Sequence, residues 1–285
     1  MPTPSQSPRI DYRFTPSQLD AFQDFLDSEY TWERFWGNAE EPSKSAEEYA
    51  AECEKKLIDA INRCPKMPNE AADKGTCFNE AVDCIIHQRK CEYEGMTVAF
   101  FPENNDCLAN LNGFYFHFDL TLLYETARRF PNAISQYLCG APLQTSKGVV
   151  WLYGYPDEWC GCRISDIKTT GDYKFGKFER KWQRHVYSYA IVESGDSTEI
   201  TEFEYTAVEL TRPSKKRPMI YGKIYPEVYT YDHEQSRRAL QDRCERFIEW
   251  LEHRRGLITD LKIFGGENPP DYVGTPIDIS VLSGK

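Results

Sequence analysis

The sequence predicts an α/β protein in one domain spanning residues 1–285. Three observations carry this. Segments with apolar residues every three or four positions intersperse with short segments of period two, no Pro/Gly-rich or low-complexity stretch splits the chain, and 40% hydrophobic residues with 14% aromatics suffice for a large core. Within the domain, residues 1–73 form an acidic helical N-terminal part, 74–256 the main body and 257–285 a C-terminal tail.

The first helix is expected from Ser17 to about Trp36, because Ser17 can cap its start and Leu19, Phe22, Phe25, Leu26 and Phe35 recur at helical spacing. "GNAEEPSK" breaks it. A second, acidic helix follows from about Ser45 to Asn62, and then a loop, "RCPKMPNEAADKG", that ends at Gly75. The third helix, Thr76 to about Lys90, carries a stripe of Phe78, Ala81, Val82, Ile85 and Ile86, with Glu80 off its centre beside Cys84 and His87. Strands are expected at 97–101 and 113–118, a helix at 120–130, and strands at 133–145, 148–156 and 162–169, with "PDEWCG" as a tight turn between the last two. Residues 173–193 return to helical period. Two alternating strands, "TEFEYTAVEL" and "IYGKIYPEVYTY", lead to a long helix from Asp232 to Gly256 with Leu240, Cys244, Phe247, Ile248 and Leu251 on one face. The tail after Phe264 shows no pattern.

Composition narrows the function classes. No stretch approaches the roughly 18 apolar residues of a membrane helix, and the N-terminus lacks the apolar segment and cleavage site of a signal peptide, so the expectation is a cytoplasmic protein. The ten cysteines contain no CxxC pair, which favours reduced thiols over disulfides or a cysteine-ligated metal. A net charge of −11 argues against a nucleic-acid partner, yet the charge is unevenly spread. Residues 20–54 carry eleven acids against two bases, while Arg163–Arg184 carries seven bases against three acids and "RPSKKRP" at 212–218 adds four more bases. A polyanion can be held locally while the acidic part keeps the protein soluble or meets a protein partner.

In "RISDIKTT", Asp166 and Lys168 leave a strand on the same face, which by itself describes an ordinary ion pair on a sheet. Pro156-Asp157 ends the strand before, and a hairpin would set Asp157 beside Asp166. Two carboxylates and a lysine suit a hard cation: magnesium takes carboxylate oxygens at about 2.0–2.1 Å, keeps several waters and completes its shell with a substrate phosphate. The lysine can orient or help deprotonate the attacking water.

Taken in order, "KGTCFNEAVDCII", "VVWLYGYPDEW", "CRISDIKTT" and "WQRHVYSYA" resemble the PD-(D/E)XK nucleases, within them the RecB-like and phage-exonuclease-like branch. The resemblance covers roughly residues 74–190, with a weaker echo in "TPSQLDAFQDF". It implies a restriction-endonuclease-like core, a central mixed β-sheet flanked by helices. It implies Glu80 as the acid of the Gly-led helix, Asp157 as that of the second motif, Asp166 and Lys168 as D-x-K, and Gln183 and Tyr187 as Q-x-x-x-Y. Asn79 stands where many RecB-like members have His. The implied metal set is Glu80, Asp157, Asp166 and Ile167, the cofactor Mg²⁺ or Mn²⁺, and the substrate DNA. The implied enzyme is a metal-dependent deoxyribonuclease, an exonuclease or DNA-end-processing enzyme of recombination and repair; the alternative is a nuclease-fold module that binds nucleic acid or protein without catalysis. The iron–sulfur cluster of some members is not implied, since only Cys244 follows the Q-x-x-x-Y helix. Lys174, Lys177, Arg180, Lys181 and Arg184 are the bases best placed to hold phosphates, because aromatic residues interleave with bases right after the D-x-K strand. His117 and His185 read as structural.

Overall fold

The computed structural model describes residues 9–65, 67–214 and 216–266. The first eight residues, Lys215 in "RPSKKRP" and the tail beyond 266 lie outside the described residues. The chain begins with β1 (Tyr12–Phe14), then α1 (Pro16–Leu26), closed by a capping box in which the Thr15 hydroxyl accepts the Gln18 N–H and the Gln18 side chain accepts the Thr15 N–H. The single expected helix is divided at Asp27, and α2 (Ser28–Trp36) runs on separately. Leu19 and Phe22 are buried whereas Phe35 is 67% exposed, so the apolar stripe that suggested one helix is a packing stripe only in α1.

α3 (Ala46–Ile61) lies close to its expected limits. α4 (Glu70–Ile86) starts before the expected Thr76, because the Asn69 side chain caps it by accepting the N–H groups of Ala71 and Ala72. Gly75 therefore sits inside the helix, where a Cβ would come 2.8 Å from the Thr169 hydroxyl, and its bareness lets α4 lie close to the strand that carries Thr169.

β2 (Thr97–Phe101), β3 (Asp106–Leu111) and β4 (Phe114–Asp119) precede α5 (Leu120–Ala127). The expected strand 133–145 resolves into β5 (Ile134–Ser135) and β6 (Cys139–Thr145), split at Gln136, which has a left-handed backbone. β7 (Gly148–Gly154) follows, and the expected tight turn contains a short strand, β8 (Glu158–Cys160), before β9 (Arg163–Thr170). The helical period from 173 is realised only in α6 (Gln183–Ser194), after a run of turns. β10 (Glu202–Leu210), β11 (Met219–Ile220), β12 (Gly222–Thr230) and α7 (His233–His253) complete the order.

The strands form three mixed sheets, β1-β7-β6, β12-β10-β9-β8-β5 and β11-β4-β3-β2, rather than one. β9 lies inside the second sheet, parallel to β10 and antiparallel to β8. Alternation along β9 gives each face its own core. Ile164 faces a cluster with Phe14, Phe22, Leu152, Val186, Tyr205 and Phe247, supplied by β1, α1, β7, α6, β10 and α7; Ile167 faces another with Phe78, Val82, Phe118, Leu123 and Val208, supplied by α4, β4, α5 and β10. Helices thus cover both faces of the strand that bears Asp166 and Lys168, and β1 and α1 pack into the first of these cores.

Candidate active site

Asp166 and Lys168 share the α6 face of β9, and their side chains form an ion pair of 2.5 Å. Asp166 is buried, 2% exposed, while Lys168 is half-buried. Burial pushes the Asp166 carboxyl upward against the opposing pull of Lys168, while Lys168 is held above the ordinary lysine range because Asp166 and Asp157 outweigh the cost of its burial.

Asp157 does not close a β7–β9 hairpin. It stands in the bend between β7 and β8, and β8 rather than β7 pairs with β9. The bend still brings it to Asp166. Its carboxylate accepts the Ile167 N–H at 2.7 Å, the Asn79 amide at 3.4 Å and the Gln136 amide at 3.1 Å, and burial together with the nearby Asp166 lifts it to about 7. Ile167 itself buries its side chain in the α4 core, so only its main-chain oxygen, which accepts the Asn79 amide at 3.4 Å, is available as a ligand.

The Q-x-x-x-Y pair lies against these acids. Gln183 donates from its amide to Asp166 at 2.6 Å and lies beside the Tyr187 hydroxyl, while Tyr187 is 6% exposed and its hydroxyl is pushed upward by burial and by Asp166. Helical spacing puts both on one face of α6.

Glu80 is placed elsewhere. Its carboxylate pairs with Arg89 at 2.6 Å and accepts the Glu92 N–H at 3.0 Å, so that Arg89 holds it below the usual carboxylate range despite its burial. The residue that α4 directs to the acids is its neighbour Asn79. One turn further along α4, Asp83 lies against Glu158 on the opposite face of the sheet from Asp166, and burial raises Asp83 to about 6 and Glu158 to about 9.

Sequence reasoning missed Asp20 of α1. Its carboxylate accepts the Trp182 N–H at 2.8 Å, lies 3.6 Å from Lys181 and acts electrostatically on Lys168, tying α1 to the start of α6. The signal was the "TPSQLDAFQDF" segment, where Asp20 is an unremarked helix acid.

The expected phosphate-binding bases are mostly engaged with the chain. Lys174 faces Asp172 at 3.5 Å, Lys177 donates to the Thr170 hydroxyl at 2.6 Å and the Asp172 carbonyl at 2.8 Å, and Arg180 meets Asp27 at 2.6 Å.

Among the described residues no three of His, Cys, Asp and Glu come together as a ready-made metal cluster. The set brought together is two carboxylates, of Asp157 and Asp166, with the main chain of Ile167 bonded to Asp157 and its carbonyl reached by Asn79. These are oxygen donors only, and Lys168 alone balances two acids, which suits a hard divalent cation that keeps water and takes a phosphate oxygen. Among the described residues no helix is long and apolar enough to cross a membrane.

No family model matches the chain, and no curated protein matches it. Among solved structures it is similar to a Eubacterium rectale protein described as "Putative exonuclease", at 14% identity and a TM-score of 0.46 over 87% of this chain and 83% of that one. It is also similar to SSO0001, at 14% identity and a TM-score of 0.29, covering 43% of this chain and about half, 54%, of that one.

Proposed function

We propose that the protein is a metal-dependent deoxyribonuclease of the PD-(D/E)XK kind, RecB-like or phage-exonuclease-like, that hydrolyses phosphodiester bonds at DNA ends. The observation that supports it is the meeting of Asp157, Asp166 and Lys168 at the middle of β9, with the main chain of Ile167 beside Asp157 and no Glu80 among them. Asp157, Asp166 and the Ile167 oxygen would hold Mg²⁺ or Mn²⁺, which when bound supplies charge neutralisation at the phosphate and a polarised water.

The chain's own groups do the rest. The Gln136 and Asn79 amides and the Ile167 N–H fix the Asp157 carboxylate, and Gln183 fixes Asp166, so both acids are held in place by the chain's own groups. The Lys168 ammonium orients the attacking water and balances the charge that grows on the phosphate. Tyr187 buttresses Gln183 from within the core.

Incubating linear, circular and single-stranded DNA with Mg²⁺, Mn²⁺ or EDTA tests this. Metal-dependent loss of linear DNA is expected, and Asp166→Asn or Lys168→Ala should slow it about a thousandfold or more with little change in DNA affinity, because these groups act chiefly in the transition state. Cleavage that persists in Asp166→Asn would sink the reading. DNA binding with no cleavage under any metal would leave a nuclease-fold module without catalysis.

A further inference from the structure

Of the five bases that follow β9, Lys174, Lys177, Arg180 and Lys181 all have acidic or carbonyl partners within the chain. Arg184 differs. Its guanidinium lies 4.9 Å from the ring centre of Tyr229, its Nε donates to His185 Nε2 at 3.2 Å, and among the described residues no carboxylate pairs with it. An arginine stacked on a ring, with its fork of N–H donors unmatched by an acid, is arranged to take an oxyanion.

Arg184 borders a cavity of about 250 Å³ between the starts of α6 and α7 and the end of β12, with His185, Tyr229, Tyr231, Gln235 and Ser236 in its wall. His185 accepts from Arg184 through Nε2, so its proton sits on Nδ1 and is donated to the Ser236 hydroxyl at 3.0 Å. The hydroxyl's own hydrogen is thereby left for another acceptor. Asp232, the acid of the wall, is engaged as the cap of α7, accepting the Gln235 N–H at 2.8 Å. The volume is below the ~300–1,000 Å³ of pockets that enclose drug-sized ligands, which suits a phosphate with its sugar.

We propose that this cavity binds a phosphate group of the DNA strand, with Arg184 as counter-ion and the Ser236 hydroxyl as second donor. The proposal rests on the nuclease reading and deepens it. Gln183, which holds Asp166, immediately precedes Arg184 on α6, so one helix start serves both the acids and this cavity. A strand phosphate here would fix how far the strand enters the site.

The test uses the full chain in EDTA, with fluorescence anisotropy of a labelled oligonucleotide across a salt series for wild type, Arg184→Ala, Arg184→Lys and, as a comparison, Lys55→Ala on α3, whose ammonium pairs with Asp59. Arg184→Ala should weaken binding about tenfold and flatten the slope of log K against log salt by about 0.7 for a single strand or 0.9 for duplex. Arg184→Lys should keep the slope and lose affinity, since it retains charge but not the fork. Lys55→Ala should do neither. Inorganic phosphate should compete with the oligonucleotide on wild type and not on Arg184→Ala. An unchanged slope in Arg184→Ala with a wild-type circular dichroism spectrum overturns the proposal, as does phosphate binding that leaves DNA binding untouched, which marks a free-anion site. Magnesium-dependent cleavage by wild type separates the readings: cleavage with an unchanged Arg184→Ala slope removes the cavity's role alone, and no cleavage with a flattened slope removes the nuclease alone.

Discussion

Asp20 and His185 show how single side chains set the electrostatics around the start of α6. Asp20 neutralises Lys181 and bears on Lys168, and burial, opposed by those lysines, raises its carboxyl above the usual range. Asp20→Asn keeps an acceptor for the Trp182 N–H while removing the charge, so DNA should bind more tightly and with a steeper salt dependence, as Lys181 becomes free for a phosphate; unchanged affinity would mean that Lys181 stays away from DNA. His185 titrates in the other sense. Burial lowers it from 6.5 to about 4, so above pH 6.5 it is neutral folded or unfolded and costs nothing. As pH falls from 6.5 towards 4 the unfolded chain takes up a proton that the folded chain refuses, and stability is lost by up to about 3 kcal/mol. Urea unfolding between pH 7 and 4.5 should show this fall, and His185→Gln should remove that part of it.

At the scale of elements, α6 is pressed between β7 and the start of α1. A Cβ at Gly154, the last residue of β7, would come 2.7 Å from Tyr187 Cε1 and 3.3 Å from Pro16 Cδ. Gly154→Ala should therefore cost about 1–3 kcal/mol by chemical denaturation, the range for overpacking a filled core. It should also slow cleavage, because the Tyr187 ring cannot move without disturbing Gln183 and so Asp166. A loss of stability with cleavage unaltered would show that Tyr187 is packing alone. The larger hinge of the first core is Phe247, fully buried with ring centres 4.6 Å from Phe14 and 4.8 Å from Phe22. Phe247→Ala should cost about 3–5 kcal/mol.

Across the whole molecule, the proposed function sets −11 charges against a polyanionic substrate. The fold handles this by laying acids of the N-terminal part on the basic run, Asp20 on Lys181 and the Asp27 carboxylate on Arg180. Most of these contacts are partly exposed and individually weak, so on the proposed function DNA phosphates would displace them. The number of free phosphate contacts is then small, and the salt slope for duplex should be shallower than the value near −10 of a large repressor interface. All ten cysteines are unpaired, six of them buried. Alkylation in denaturant without reductant should accordingly modify ten thiols, and fewer would reveal a bridge.

Local order was legible wherever neighbouring residues define it. The stripe of α7 and the alternation of β9 and β10 depend on residues within a few positions, and these elements lie near their expected limits. The i,i+2 spacing likewise determined that Asp166 and Lys168 share a face, and the i,i+4 spacing that Gln183 and Tyr187 do. The tertiary structure decided what each face meets. Glu80 and Asn79 are successive positions of one helix, separated by about a quarter turn or more, and period alone marks the buried stripe without saying which flank abuts β9. The close approach at Gly75 and the seating of Phe78 and Val82 in the core turn Asn79 to Asp157 and leave Glu80 to Arg89. Asp20 joins the site from far along the chain because β1 pairs with β7 and brings α1 to the start of α6, a contact made between distant segments and therefore absent from any local pattern.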